Sequence, residues 1–213
     1  MDILVLAAHP DDEVLGMGAT IKKMSKKNKI HLCVVTEGAS AQYEDKKMIE
    51  ERKKACIKCG KILGINTFNF LDFKDMTLNF HNELEINQAL EKIIQKFKPH
   101  TIYTTPNHDV NSDHKKLYES TIVASRPYST TVKKLLCYEI PGSVSFPFQP
   151  NIFENINDEF EIKLKGFRCY KSEIRKFPHP RSIKSLETIA IQRGIESGCK
   201  KSEAFKLIRE IKD

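Results

Sequence analysis

An α/β fold with a mostly parallel sheet flanked by helices is what this sequence predicts, and three observations predict it. Through the first half of the chain, short apolar runs rich in branched residues alternate with amphipathic helical segments, the pattern of βαβ units. The length of 213 residues is enough for one such domain. With 40% hydrophobic and 30% charged residues, the composition permits a sizeable core and argues against wholesale disorder.

The run Ile3-Leu4-Val5-Leu6-Ala7-Ala8 is continuously apolar, as expected of a strand covered on both faces. His9-Pro10-Asp11-Asp12 ends it in a turn, and a helix follows over Glu13–Lys27 with Asp11 or Asp12 at its N-terminus. Ile30–Thr36 reads as a second buried strand, Glu37–Ser40 as a loop, and Asp45–Leu63 as a long helix closed by Gly64. Thr67–Leu71 is a third strand. Ile86, Leu90, Ile93, Ile94 and Phe97 lie on one face of a helix over Leu84–Phe97, stopped by Pro99. Thr101–Thr104 is the fourth strand. Beyond it, helix is expected over Lys115–Ser125, strand over Val132–Glu139, and a long surface loop, a candidate lid, over Pro141–Asn157. Asp158–Arg175, Ile183–Arg193 and Lys201–Ile211 read as helices. Pro141–Asn157 is the only candidate boundary and does not divide the chain, so residues 1–213 are read as a single Rossmann-like domain.

Several classes are disfavoured early. No apolar run approaches the roughly 20 residues of a membrane span. The N-terminus lacks a basic region and a small-residue cleavage site, so a cytoplasmic location is expected. The six cysteines are scattered and are expected to be reduced, with Cys56-Ile57-Lys58-Cys59 read as buried helix positions. The net charge of +7 is spread along the chain, with no basic block or aromatic-interleaved patch. A solvated lysine-rich surface is therefore preferred to a nucleic-acid-binding one.

In parallel sheets, sites form beyond the carboxyl ends of the strands. The loops His9–Asp12, Glu37–Ser40, Asp72–Asp75 and Pro106–His114 should therefore converge. His9-Pro10-Asp11-Asp12-Glu13 places an imidazole and three acids on one strand-to-helix turn. Helix capping needs one acid. Crowded carboxylates repel, and a cation would relieve them. Asn107-His108-Asp109-Val110-Asn111-Ser112-Asp113-His114 faces the same edge. His9, Asp12 and either His108 or His114 would form a shell of two imidazoles and one carboxylate with open positions, as in catalytic rather than structural zinc. Asp11 would then be a spare carboxylate where a general base is needed. His31 and His100 sit in or beside strand patterns and read as ordinary histidines. Pro178-His179-Pro180-Arg181-Ser182 reads either as a helix connection capped by Ser182 or as an anion or sugar contact through His179 and Arg181. Gly16-Met17-Gly18 does not continue into a dinucleotide fingerprint, because position 21 is Ile. These glycines are expected to let the helix pack closely on the sheet.

Residues 8–13, Ala-His-Pro-Asp-Asp-Glu, with Gly16 and Gly18 behind them and Asp113-His114 later, resemble the PIG-L/LmbE family of zinc-dependent N-deacetylases. Arg193-Gly194, Gly198 and Glu203-Ala204-Phe205 are similar to its C-terminal pattern. The resemblance implies hydrolysis of an N-acetylglucosamine-type amide and one Zn2+ on His9, Asp12 and His114. It implies Asp11 as base and Arg52 as a substrate contact. Asn111 stands where the family often has the first His of His-x-Asp-His. A neutral Asn111, with His108 or Asp109, is then the expected oxyanion-side contact. The implied partner is a small N-acetylated sugar, phosphate-, nucleotide- or lipid-linked forms included, with no nucleic acid and no membrane span, and a homo-oligomer as a candidate assembly. Two other readings compete: a non-haem iron enzyme on the same ligand set, and a non-catalytic Rossmann-like binding module.

Overall fold

The computed structural model describes residues 1–41, 46–142 and 147–212. Strands β1 (Asp2–Ala7), β2 (Lys29–Thr36), β3 (Thr67–Phe73), β4 (Thr101–Thr104), β5 (Lys134–Tyr138), β6 (Ile152–Asn155) and β7 (Ser202–Glu210) form one sheet in the order β3-β2-β1-β4-β5-β7-β6. The first five run parallel, and β7 pairs antiparallel with both β5 and β6. The helices are α1 (Asp12–Met24), α2 (Lys46–Leu63), α3 (Glu83–Phe97), α4 (Ser112–Ala124), α5 (Phe160–Phe167) and α6 (Ile183–Ser197), with one 3-10 turn at Leu78–Phe80. The predicted mostly parallel α/β sheet is the one observed.

The continuous apolar run at the N-terminus has a direct packing cause. Ile3, Val5 and Ala7 point into a core shared with α1, α2 and α5, while Leu4, Leu6 and Ala8 point into a second core under α3 and α4. Each fully buried Val or Leu is worth about 1.5–3 kcal/mol, so this strand anchors both layers. Its neighbours are β2 on one side and β4 on the other. The chain therefore leaves β1 toward one edge of the sheet and later returns to build the other. A crevice opens at the exits of β1 and β4, where this reversal occurs.

Gly16 answers the close-packing expectation, since a Cβ there would lie 2.3 Å from the Tyr138 ring of β5. The α1 helix is broken at Met17 (φ −146°, ψ 26°), which frees backbone groups in its middle. A buried ion pair satisfies them. Glu203 on β7 accepts from the amides of Ala19 (3.1 Å) and Thr20 (2.7 Å), and Lys163 on α5 donates to Leu15 O (2.9 Å) and to Glu203 (2.6 Å). Cys56 and Cys59 are buried in α2 as free thiols, pushed well above the usual thiol range by burial.

Three expectations for the second half are corrected. Lys201–Ile211 is not a helix: Ser202–Glu210 is the strand β7, because it fills the gap between β5 and β6 and takes ladder bonds from both. Its apolar spacing suits either element, and pairing decides. Pro141–Asn157 is not wholly loop, since Ile152–Asn155 forms β6 on the edge of β7. Residues 143–146 of that stretch, like Asp45 of the expected second helix, lie outside the described residues. The helix expected over Asp158–Arg175 is only Phe160–Phe167; turns follow that carry Tyr170 and Glu173 inward, both buried.

Candidate active site

The four expected strand-exit loops meet. Glu37 ties two of them, accepting from the amides of Ala39 (2.7 Å), Ser40 (3.0 Å) and Asp75 (3.1 Å). After β1 the backbone turns at Asp11 with φ 132°, a conformation rarely adopted by residues other than glycine. Three contacts hold it there. The Asp11 amide donates to Glu13 Oε2 (3.1 Å), Arg52 donates to the carbonyls of Pro10 (3.0 Å) and Gly38, and Gly38 (φ 65°) lies where a Cβ would strike Pro10 Cδ at 2.4 Å. The turn gives its two neighbouring carboxylates different partners: Asp12 meets imidazoles, Asp11 meets guanidiniums.

Nδ1 of His9 lies 3.2 Å from Nε2 of His114, and each is 3.3 Å from Oδ2 of Asp12. Their far nitrogens are equally committed. Nδ1 of His114 is 2.6 Å from Asp109 Oδ2; Nε2 of His9 is 3.1 Å from Asp75 Oδ1 and 3.3 Å from Asp113 Oδ2. All of these residues are buried. Burial alone pushes His9 down, but Asp113, Asp12 and Asp75 outweigh it and hold the ring well above its usual value. Burial likewise opposes ionisation of Asp12, yet His114 and His9 keep it well below the carboxylate range.

This donor set fits a divalent cation. Two ring nitrogens and a carboxylate oxygen point at one another, and Asp12 Oδ1 and both Asp11 oxygens are buried without a hydrogen-bond partner. A carboxylate on the outer nitrogen of each imidazole fixes the tautomer that turns the inner nitrogen's lone pair to an ion. His9, Asp75 and Asp113 form a second group with ligand spacing. In that group both Asp113 oxygens already accept backbone amides, from Met76 (2.7 Å) and Leu78 (3.0 Å). The His9, Asp12 and His114 set is therefore the candidate metal centre, and the other acids serve its outer face. Asp109→Ala is expected to weaken metal affinity by about 10–100-fold with the fold intact, measured by competition with a chromophoric chelator.

Beside the centre, Asp11 Oδ2 faces Arg52 Nη2 (3.5 Å) and Arg181 Nη2 (3.6 Å). Burial raises the Asp11 pKa, and the two guanidiniums pull it back part of the way. Glu13, under the same turn, is pushed by burial to about 8 although the Tyr170 hydroxyl donates to it at 2.6 Å.

The remaining predicted residues separate. Asn111 caps α4, its Oδ1 accepting from the amides of Asp113 (2.8 Å) and His114 (3.4 Å). His108 lines a cavity of about 400 Å³ with Pro106, Asn107, Tyr118, Phe148 and Lys206. His179 is exposed and its ring accepts from the Arg181 amide (3.1 Å). His31 is held between Thr67 (2.8 Å) and Asp2 (2.9 Å) and stacks on Phe97, a structural role. Sequence reasoning missed Glu173, Asp75 and the outer role of Asp113. Position at a strand exit was the one available signal for Asp75, and nothing local marked Glu173.

A buried centre of two imidazoles and one carboxylate, flanked by an unbonded carboxylate at the exits of a parallel sheet, defines the layout of a metal-dependent hydrolase. Comparison with known proteins agrees. Residues 4–125 match the family described as GlcNAc-PI de-N-acetylase, PIG-L. YaiS of Escherichia coli K12, described as an uncharacterized deacetylase, is 33% identical over 180 residues, 80% of this chain and 90% of that protein. The diacetylchitobiose deacetylase of Thermococcus kodakarensis is 25% identical across 97% of this chain and 82% of its own. The N,N'-diacetylchitobiose deacetylase structure from Pyrococcus horikoshii shares the fold, with a TM-score of 0.80 at 24% identity over 98% of this chain and 84% of that one. The chain belongs to the PIG-L family of deacetylases, hydrolases that act on an amide.

Proposed function

We propose that this protein removes the acetyl group from an N-acetylated amino sugar, with one zinc ion on His9, Asp12 and His114 and with Asp11 as general base. The observation that carries the reading is the Asp11 carboxylate, buried and without a hydrogen bond beside that ligand set. A bound zinc ion supplies Lewis acidity to the amide carbonyl and brings the pKa of its water to about 7. Asp11 takes the proton from the attacking water and returns it to the departing nitrogen, so that amide and water become acetate and a free amine. The iron reading gives Asp11 no task.

The substrate class draws support from relatives: the Thermococcus protein is a deacetylase of diacetylchitobiose. The cavity beside His108, walled also by Tyr118, Phe148 and Lys206, suits the part of the molecule that does not react. Among the described residues no helix is long and apolar enough to cross a membrane.

The test is an acetate-release screen over N-acetylhexosamines, free, phosphorylated and nucleotide-linked. Activity that is lost to a chelator and restored by zinc is the expected result. Turnover untouched by full metal removal would overturn the reading.

A further inference from the structure

Glu173 is a buried carboxylate that the proposed deacetylation leaves without a task. Its Oε2 accepts from Nη1 of Arg181 at 2.6 Å, and its Oε1 lies 3.6 Å from Nη1 of Arg52 and accepts from the Ser172 hydroxyl at 3.1 Å. The same two guanidiniums are the cations that face Asp11, both toward Oδ2.

The two arginines are not equivalent. Arg52 is buried and independently fastened to the carbonyls of Pro10 and Gly38. Arg181 is more than a quarter exposed, with its side chain 28% accessible. Among the described residues, Glu173 is the one group that accepts a hydrogen bond from the Arg181 guanidinium. One arm of the planar fork is thus spent on Glu173, and the other is aimed at Asp11.

We infer that Glu173 is a positioning residue for the reaction: it holds Arg181 against Oδ2 of Asp11, so that this oxygen is fixed and Oδ1 is left as the atom that carries the proton. Without Glu173, a partly exposed guanidinium has water as its alternative partner. It swings away, and Asp11 Oδ2 loses one of the two cations that fix it, keeping Arg52 alone. Glu173 acts through Arg181 and touches no substrate. This inference rests on Asp11 being the base.

The experiment uses the zinc-loaded full chain and the N-acetylhexosamine with the highest kcat/KM in the acetate screen. Glu173→Gln, Arg181→Ala and the double variant are compared, with thermal melts to confirm folding. Loss of positioning is expected to lower kcat by about 10–100-fold in each single variant, with KM changed by less than about threefold. The double variant should lose no more than the worse single one, since both break one chain of contacts. Added guanidinium should restore part of the activity of Arg181→Ala, and should fail to do so once Glu173→Gln is also present. Multiplicative losses, a defect confined to KM, or wild-type kcat in Glu173→Gln would each overturn the inference. Should Glu173→Gln not fold, Arg181→Ala decides alone: normal kcat, or no response to guanidinium, sinks it. Failure of the underlying reading looks different, because Asp11→Asn would then stay active.

Discussion

Asp11→Asn is expected to lower kcat by about 10²–10⁴-fold, the range of a lost general acid–base group, with metal content unchanged. The two effects separate because Asp11 and Asp12, although adjacent, answer to different partners. Asp12 shares its Oδ2 with His9 and His114, whereas among the described residues the ion-pair partners of Asp11 are the guanidiniums of Arg52 and Arg181. The amide of Asn preserves size and leaves no basic oxygen to take a proton from water. His9→Ala is the contrasting variant: it removes a ring nitrogen from the ligand set and leaves Asp75 and Asp113 without the imidazole between them. It should lose metal and activity together. Metal content per chain and acetate release, measured on both variants, distinguish the roles. Near-full activity in Asp11→Asn would remove the base assignment, and tight metal in His9→Ala would remove the ligand assignment.

The second large effect is on stability and lies away from the chemistry. Glu203→Ala should cost about 3–5 kcal/mol, the penalty for stranding one member of a buried ion pair. Lys163 would be left as an unpaired buried cation, and the Ala19 and Thr20 amides would lose their acceptor. For a chain of this size, each kcal/mol moves Tm by about 2–4 °C, so a drop of about 10 °C is expected. Lys163→Met should cost less, because Glu203 keeps both amide donors. A melt of Glu203→Ala that matches wild type would mean that water replaces the carboxylate at the break in α1.

The first half of the fold was legible because its signals are local. A run apolar at every position needs cover on both faces, and β1 receives it from two cores. A face repeating at helical spacing needs cover on one, and α3 buries Ile86, Leu90, Ile93 and Ile94. The site was legible where residues of unusual type stand at strand exits: His9 and His114 lie 105 positions apart in sequence and 3.2 Å apart in space. The last strand was not legible. Ala204, Phe205, Leu207 and Ile208 suit a helix as well as a strand, and only the open edges of β5 and β6 select the extended form.

By itself, then, the sequence determined the strand-and-helix alternation of residues 1–125, the turn chemistry of residues 9–13 and the family, because each depends on neighbours in the chain. The tertiary structure decided which acid does what. Asp11, Asp12, Asp75, Asp109, Asp113 and Glu173 carry the same functional group, and a carboxylate's behaviour is set by what surrounds it. Imidazoles hold Asp12 ionised, burial raises the proton affinity of Asp11 against two guanidiniums, and Arg52 of α2 lies 3.6 Å from Glu173. Those surroundings come from segments far apart in sequence, and so appear only when the chain is folded.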